Sequence, residues 1–143
     1  MAPYRLYSPV TLEHLYTTDA NEYNTLKSYV GTWNGEGQVF SEYSGPATVA
    51  GVTDEPLYRL YDAPNKQHFW TDSYNEYNTL RNAPWSWNDE GIVGYVFPTT
   101  VTSGVPLYRM MAPQVHLWTT NVNEYDVLAS EGWTQEGVIG YVM

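Results

Sequence analysis

Alternating apolar and polar positions recur three times along the chain, and each occurrence predicts a pair of short β-strands. The first strands read YRLY from Tyr4, LYRLY from Leu57 and LYRMM from Leu107. The second strands read HLYTT from His14, HFWTD from His68 and HLWTT from His116. Alternation of this kind is typical of half-buried strands. A short turn with one proline joins the two strands each time, so we expect three β-hairpins.

The pattern becomes helical directly after each second strand. Good N-cap residues stand there: Asp19, Ser73 and Asn121. The residues three positions later are Glu22, Glu76 and Glu124. This spacing is that of a capping box, so we interpret the three glutamates mainly as capping residues. A tyrosine and a leucine then lie three residues apart and form one apolar stripe, which predicts short helices of two or three turns. The expected terminators are Gly31, Pro84 and Gly132.

A tryptophan, a Glu-Gly pair and a final apolar segment follow each predicted helix. The final segments read QVFSEY from Gln38, IVGYVF from Ile92 and VIGYVM from Val138, and they predict a third strand. The chain thus reads as one domain, 1–143, of three units at about 4–55, 56–104 and 105–143. Three units of this length can close into one globule. We predict a β-rich α+β domain with threefold pseudosymmetry, resembling a β-trefoil or a three-bladed propeller, with one short helix per unit.

Composition narrows the classes of partner. The chain carries 6 Lys and Arg against 16 Asp and Glu, a formal net charge of −10. We therefore expect no nucleic-acid partner, because phosphate binding needs cationic side chains. No apolar run approaches the roughly 18 residues of a membrane span, so we expect no membrane insertion. Cysteine is absent, which excludes disulfides and thiolate metal sites. The first residues lack a signal-peptide pattern, so we expect either a cytosolic protein or a secreted one whose signal has been removed.

The motifs resemble a repeat domain of unknown function found in bacterial and fungal extracellular proteins. Its units read YRLYNP, HFYTT, an acidic short helix, GW and EG. The matching segments here are YRLYSP with HLYTT, LYRLYDA with HFWTD, and LYRMMAP with HLWTT. Unit 2 departs from the pattern at Asp72 and at Pro84-Trp85, and unit 3 departs at Met110-Met111. The resemblance covers nearly the whole chain and implies a β-rich binding or adhesion module, often attached to secreted hydrolases or surface proteins. It supplies no catalytic residues.

Side chains that could bind a ligand recur at equivalent positions of the three units. The basic positions are Arg5, Arg59, Arg109, His14, His68 and His116. The glutamates that precede a glycine are Glu36, Glu90 and Glu136. The aromatic positions are Tyr16, Trp70 and Trp118 on the second strands and Trp33, Trp87 and Trp133 after the helices. A sugar has an apolar C–H face and a polar rim, so a ring beside Arg, His or Glu suits carbohydrate binding.

Structural interpretations of the same residues stay open. Glu36 and its equivalents predict either ion pairs with the repeated arginines or contacts with ligand hydroxyls. One of the two aromatic sets should form the core. Three histidines near a threefold axis could hold zinc, but no HxH or HxxxH pair occurs. We therefore favour structural histidines, hydrogen-bonded within each unit, and expect no metal and no cofactor.

The sequence predicts a non-catalytic, lectin-like module that binds glycans or glycoconjugates at up to three equivalent sites. Multivalency of this kind raises avidity for a glycan-bearing surface. The alternative is a structural or adhesion module that binds protein or a cell-wall polymer. The third hypothesis is a hydrolase with one asymmetric active site. It is disfavoured because its two carboxylates would need different environments, whereas the acids here recur equivalently, and because no GxSxG or HExxH motif occurs.

Overall fold

Short strands dominate the fold, and single helices separate them. The computed structural model describes residues 2–40, 45–83, 87–98, 101, 104–113 and 115–142. The elements in chain order are β1 (Tyr4–Tyr7), β2 (His14–Thr17), α1 (Ala20–Lys27), β3 (Asn34–Gln38), β4 (Thr48–Val49), β5 (Val52–Thr53), β6 (Glu55–Asp62), β7 (Gln67–Thr71), α2 (Tyr74–Arg81), β8 (Trp87–Val96), β9 (Val105–Ala112), β10 (Val115–Thr119), α3 (Val122–Ser130) and β11 (Thr134–Val142). The β-rich character and the three short helices are confirmed.

Each sequence unit supplies one three-stranded antiparallel sheet with its first strand in the centre. The strand orders are β2-β1-β3, β7-β6-β8 and β10-β9-β11. The first and second strands of every unit pair as the predicted hairpins. The third strands begin earlier than the apolar segments predict, because the preceding polar residues also pair with the central strand. In unit 1 the prediction of a strand from Gln38 onward is wrong for Val39 and Phe40: β3 ends at Gln38, which pairs with Tyr4, the first residue of β1. The rest of that predicted segment, 41–43, lies outside the described residues. Glu55, which the sequence places at the end of unit 1, is the first residue of β6 and pairs with Val96.

A fourth, two-stranded sheet was not predicted. Strands β4 and β5 lie at the end of unit 1, in the segment 44–55, whose polar, Gly- and Thr-rich sequence predicts only a connection to unit 2. Ala50 and Gly51, between the two strands, have φ angles of 50° and 80°. Positive φ at both central residues is the requirement of the tight hairpin turn that matches strand twist. The Ala-Gly pair is a weaker signal for that turn than Asn-Gly, which explains the miss.

The helices begin at the predicted N-caps and rest on the central strands. The N-cap side chains of Asp19, Ser73 and Asn121 accept hydrogen bonds from backbone N–H groups of the first helical turn. One helical tyrosine stacks on a central-strand tyrosine in each unit; the pairs are Tyr4–Tyr23, Tyr58–Tyr77 and Tyr108–Tyr125, with ring centroids 4.4, 4.1 and 4.4 Å apart.

The structure confirms one of the three predicted helix ends. Gly132, with φ of 102°, directly follows the C-cap of α3 and confirms the predicted terminator. Gly31 lies three residues beyond Ser28, the C-cap of α1, so it does not end that helix. Pro84 lies outside the described residues.

The second strands of the three units meet in the core. Tyr16, Trp70 and Trp118 are 4%, 2% and 2% exposed. Their ring centroids lie 4.9 to 5.7 Å apart in edge-to-face contacts, a geometry that adds to the stabilisation from buried area. The Tyr16 hydroxyl accepts a 2.8 Å hydrogen bond from the Trp118 backbone N–H and donates one to its carbonyl. The second-strand aromatics are therefore core, and no ring face is open for stacking on a sugar.

Candidate functional site

A β-bulge lies opposite the repeated arginine in each three-stranded sheet. In units 1 and 2, the Glu-Gly pair of the third strand faces a single residue of the first strand, Arg5 or Arg59. Unit 3 has the same irregularity at Arg109. The glycines of the three bulges have φ angles of 80°, 84° and 93°; they are Gly37, Gly91 and Gly137. L side chains rarely adopt that conformation, so the recurring EG motif marks a bulge.

The bulge glutamates form the ion pairs predicted as one interpretation of the sequence. The Nε–Oε1 distances are 2.8 Å for Arg5–Glu36, 2.8 Å for Arg59–Glu90 and 3.2 Å for Arg109–Glu136. The arginine side chains are only 12–13% exposed. Charges that are removed from water to this extent need a partner, and the bulge supplies it within the same unit.

The same arginines also bind a helix glutamate of a different unit. The Nη1–Oε1 distances are 2.9 Å for Arg5–Glu124, 3.3 Å for Arg59–Glu22 and 3.1 Å for Arg109–Glu76. Arg5 makes a second bond to Glu124 at 3.1 Å, from Nη2 to Oε2, which is the bidentate geometry favoured by Arg and carboxylate. Every unit is thus tied to both of the others, and we assign the arginines to architecture.

The interpretation of the helix glutamates as capping side chains is wrong. Their backbone N–H groups do donate to the N-cap side chains at 3.2 Å, but their carboxylates bind the arginines. In a capping box the carboxylate would accept the N–H of the N-cap residue. That N–H instead donates, at 3.0 Å, to the hydroxyl of a second-strand threonine: Thr17, Thr71 or Thr119. The threonine leaves the glutamate free to join two units.

An open cleft lies between units 1 and 3. Its volume is about 660 Å³, within the usual range of small-molecule sites. The lining residues are Tyr7, Leu12, His14, Glu36, Ala112, Pro113, Val115 and Trp133. Three of the predicted site residues, His14, Glu36 and Trp133, therefore meet at one place, although they come from two different units. The cleft combines aromatic rings with an imidazole and a carboxylate.

One ring nitrogen of His14 has no hydrogen-bond partner among the described residues. Its Nδ1 is buried and makes no hydrogen bond, while its Nε2 lies 4.0 Å from Glu36 Oε1. The Tyr7 ring lies 4.9 Å from the imidazole, centroid to centroid. Burial, and then the positive charge of Arg5, lower the pKa of His14 to about 4. The imidazole is therefore neutral at pH 7.

The equivalent histidine of unit 2 is covered by unit 1. Glu13, only 3% exposed, accepts a 2.8 Å hydrogen bond from His68 Nδ1 and a further bond from the His68 backbone N–H. The neighbouring Gln67 donates to the Thr11 carbonyl at 3.0 Å. The turn of unit 1 therefore packs against the start of the second strand of unit 2.

The third histidine lies against a ring of unit 2. The ring of Phe69 meets that of His116 edge to face, at 4.8 Å between centroids. His116 Nε2 lies 3.6 Å from Glu136 Oε1. Burial, and then the charge of Arg109, lower the pKa of His116 to about 4. Among the described residues, no group of three or more His, Asp or Glu could hold a metal ion.

The tryptophans that follow the helices are the more accessible aromatic set. Trp33, Trp87 and Trp133 are half-buried and pack on the edges of the core. Trp87 meets Phe69 at 6.0 Å, and Trp133 lines the open cleft. Of the two sets that the sequence presents, this one therefore retains ring surface for a ligand.

Tyr7, Glu13 and Val115 belong to none of the candidate sets that the sequence patterns indicate. A signal for the last two was present, because the residue before each repeated histidine differs: it is Glu13, Gln67 or Val115. Aligning the three units on their histidines shows both the residues that recur and this position, at which the residue type differs. The covering of a cleft follows from that variable position.

The chain belongs to a family described as a domain of unknown function, DUF5648, whose model matches residues 2–143. No curated protein and no solved structure matches the chain. Within the described part of the chain, no helix has the length and apolar character of a membrane span.

Proposed function

We propose that this chain is a non-catalytic carbohydrate-binding module whose principal site is the cleft at His14. The observation that carries the proposal is the meeting of Trp133, Tyr7, His14 and Glu36 around one open volume of about 660 Å³. The ring of Trp133 can receive the apolar C–H face of a sugar. Glu36, whose side chain is 32% exposed, can accept hydrogen bonds from the hydroxyl groups of the sugar.

We further propose that the three units form a ring that resembles a three-bladed propeller. Equal strand order in the three main sheets supports this arrangement. So do the three ion pairs between units and the aromatic contact of the second strands. Separate small sheets favour a propeller over a β-trefoil. In this arrangement the unit interfaces create up to three related clefts, of which the one beside His14 is open.

The test is glycan-array binding followed by calorimetry on the sugars that bind. We expect a stoichiometry near one, and we expect Trp133→Ala to weaken binding at least tenfold. Trp33→Ala is the matched control, since it removes the same ring from a unit whose neighbouring cleft is covered. Circular dichroism checks that both variants fold. No binding to a broad array, or equal losses for both variants, would contradict the proposal.

An adhesion module that contacts protein or a cell-wall polymer is the second candidate. The repeated arginines and glutamates favour it, because they satisfy one another and need no ligand. Polymer binding that survives Trp133→Ala would select this candidate. A hydrolase fits less well, because Glu36 is the carboxylate among the described residues that line the cleft, and glycoside hydrolysis ordinarily uses a pair.

A further inference from the structure

One arginine is shared by two glutamates beneath the open cleft. Arg5 binds Glu36 through Nε at 2.8 Å and Glu124 through Nη1 at 2.9 Å. The other basic group within 4.0 Å of Glu36 is His14, which is neutral at pH 7 because burial, and then the charge of Arg5, lower its pKa to about 4. Among the described residues, no further cation lies that close to either glutamate. The group therefore keeps an uncompensated negative charge.

Glu36 is the member of this group that lines the cleft. Its Oε1 accepts the bond from Arg5, whereas its Oε2 has no hydrogen-bond partner within the described part of the chain. The side chain is 32% exposed, so a ligand in the cleft can reach it. The cleft thus offers a ligand a carboxylate that the protein itself neutralises only in part.

Aromatic and apolar side chains form most of the remaining wall. Trp133 and Tyr7 contribute rings, and Ala112, Pro113 and Val115 contribute apolar surface. The faces of tryptophan and tyrosine rings attract ammonium groups, and a charge pair is stronger beside apolar walls than in water. A metal ion would need several ligand atoms, and no group of three His, Asp or Glu occurs among the described residues. The wall therefore suits an organic cation.

We infer that the cleft at His14 takes an amino sugar, a hexose with a free amine, whose ammonium group binds Glu36 Oε2. The inference rests on the proposed carbohydrate function. The apolar face of the sugar ring then lies on Trp133, as in that proposal, and the ammonium group offsets the charge that Arg5 leaves over. The net charge of −10 also favours the approach of a cationic ligand.

Unit 2 holds the same charges in a different setting. Arg59 binds Glu90 at 2.8 Å and Glu22 at 3.3 Å. The histidine beside Glu90 is His68, which is covered by the Glu13 carboxylate of unit 1. Glu90 is therefore the matched control for Glu36, because it has the same ion pair beside a covered histidine.

The test compares three sugars that differ at one carbon atom: glucosamine, N-acetylglucosamine and glucose. Glucosamine carries an ammonium group at about pH 6, whereas the other two carry a neutral amide or a hydroxyl group there. We expect calorimetry at this pH and low salt to show glucosamine binding at least tenfold more tightly than either neutral sugar. Equal affinities, or binding of neutral sugars alone, would overturn the inference and leave the proposed function in place. If no sugar binds, charged or neutral, both are overturned.

Two variants and a change of pH locate the ammonium contact. Glu36→Gln removes the charge and keeps the shape of the side chain, so we expect it to remove the preference for glucosamine over N-acetylglucosamine. Glu90→Gln makes the same exchange in unit 2 and should leave that preference unchanged. At about pH 9 the amine is neutral, so the unaltered protein should also lose the preference, which keeps the inference testable if Glu36→Gln does not fold. A preference that survives in Glu36→Gln or at pH 9 would overturn the inference.

Discussion

The histidines of units 1 and 2 stand in the same local structure but meet different neighbours. Both lie at the start of a second strand, and both lie beside a bulge glutamate and an arginine that binds two carboxylates. His68 receives Glu13 from the turn of unit 1. His14 faces Val115 and an open cleft. The repeated arginines and glutamates therefore form the same ion-paired frame in both units. The variable residue before each histidine decides whether a cleft is filled.

The largest expected effect tests whether the frame is the same in both units. Arg5→Met and Arg59→Met each remove the arginine that two half-buried glutamates share. We expect each to lower the free energy of unfolding by about 3 kcal/mol, the low end for a buried pair because the carboxylates keep part of their solvent. Urea denaturation measures this. A loss for Arg5→Met far below that for Arg59→Met would show that the two frames differ.

The second prediction concerns the unpartnered histidine and pH. The unfolded chain protonates each histidine near pH 6.5, whereas His14 and His116 in the folded chain stay neutral down to about pH 4. Unfolding therefore takes up protons between these two pH values. As the pH falls from 6.5 to 4, the free energy of unfolding decreases by roughly 2 kcal/mol per histidine. Asp72 acts in the opposite sense, since burial, and then Glu55, raise its pKa to about 6.

Variants separate these contributions to the pH profile. His14→Gln should flatten the loss of stability between pH 6.5 and 4, and Asp72→Asn should steepen it. Arg5→Met should raise the pKa of His14, since the charge of Arg5 contributes to lowering it. Denaturation curves at several pH values test the first two, and NMR titration of the imidazole tests the third. An unchanged profile in His14→Gln would contradict the buried, neutral state of this ring.

A third and smaller effect tests Glu13, the residue of unit 1 that covers His68. Glu13→Ala removes the bonds from His68 and leaves its Nδ1 in the state of His14 Nδ1. We expect a loss of about 1.5 kcal/mol, typical for hydrogen bonds to a charged group. Glu13→Gln keeps an acceptor oxygen at the same place and should cost less. If thermal denaturation finds the reverse order, Glu13 is not what closes the cleft at His68.

The smallest effect concerns the bulges, which should be alike in the open and covered units. Gly37→Ala and Gly91→Ala add a methyl group that meets no atom within 4 Å. The cost is therefore that of the positive φ alone, about 1 kcal/mol in each case. Urea denaturation of the pair should give equal losses. Unequal losses would mean that the bulges, and not only the turns, distinguish the two units.

Local features of the fold were predictable from the sequence, and contacts between units were not. The hairpins, the N-caps and the Arg–Glu pair follow from short patterns such as YRLY, HLYTT and EG. The bonds from Arg59 to Glu22 and from His68 to Glu13 join different units, and no local pattern encodes such a contact. The two aromatic sets were indistinguishable by residue type. Packing of the second strands against one another decided that Tyr16, Trp70 and Trp118 are core.

The sequence indicated three of the residues that line the cleft, but not that they meet at one place. His14, Glu36 and Trp133 were each candidates, yet the sequence assigns His14 and Trp133 to separate equivalent sites. The structure brings them together across the boundary between units 1 and 3. Its openness depends on Val115, which carries no functional signal alone. It becomes informative only beside Glu13 and Gln67.

The central claim is that a sugar binds beside His14 and not beside His68. The most direct measurement is ¹H–¹⁵N NMR of the three imidazole rings during titration with a sugar that binds on the glycan array. We predict that the ring signals of His14 shift on binding while those of His68 and His116 stay in place. Sugar binding with no change at His14, or with an equal change at His68, would contradict the account.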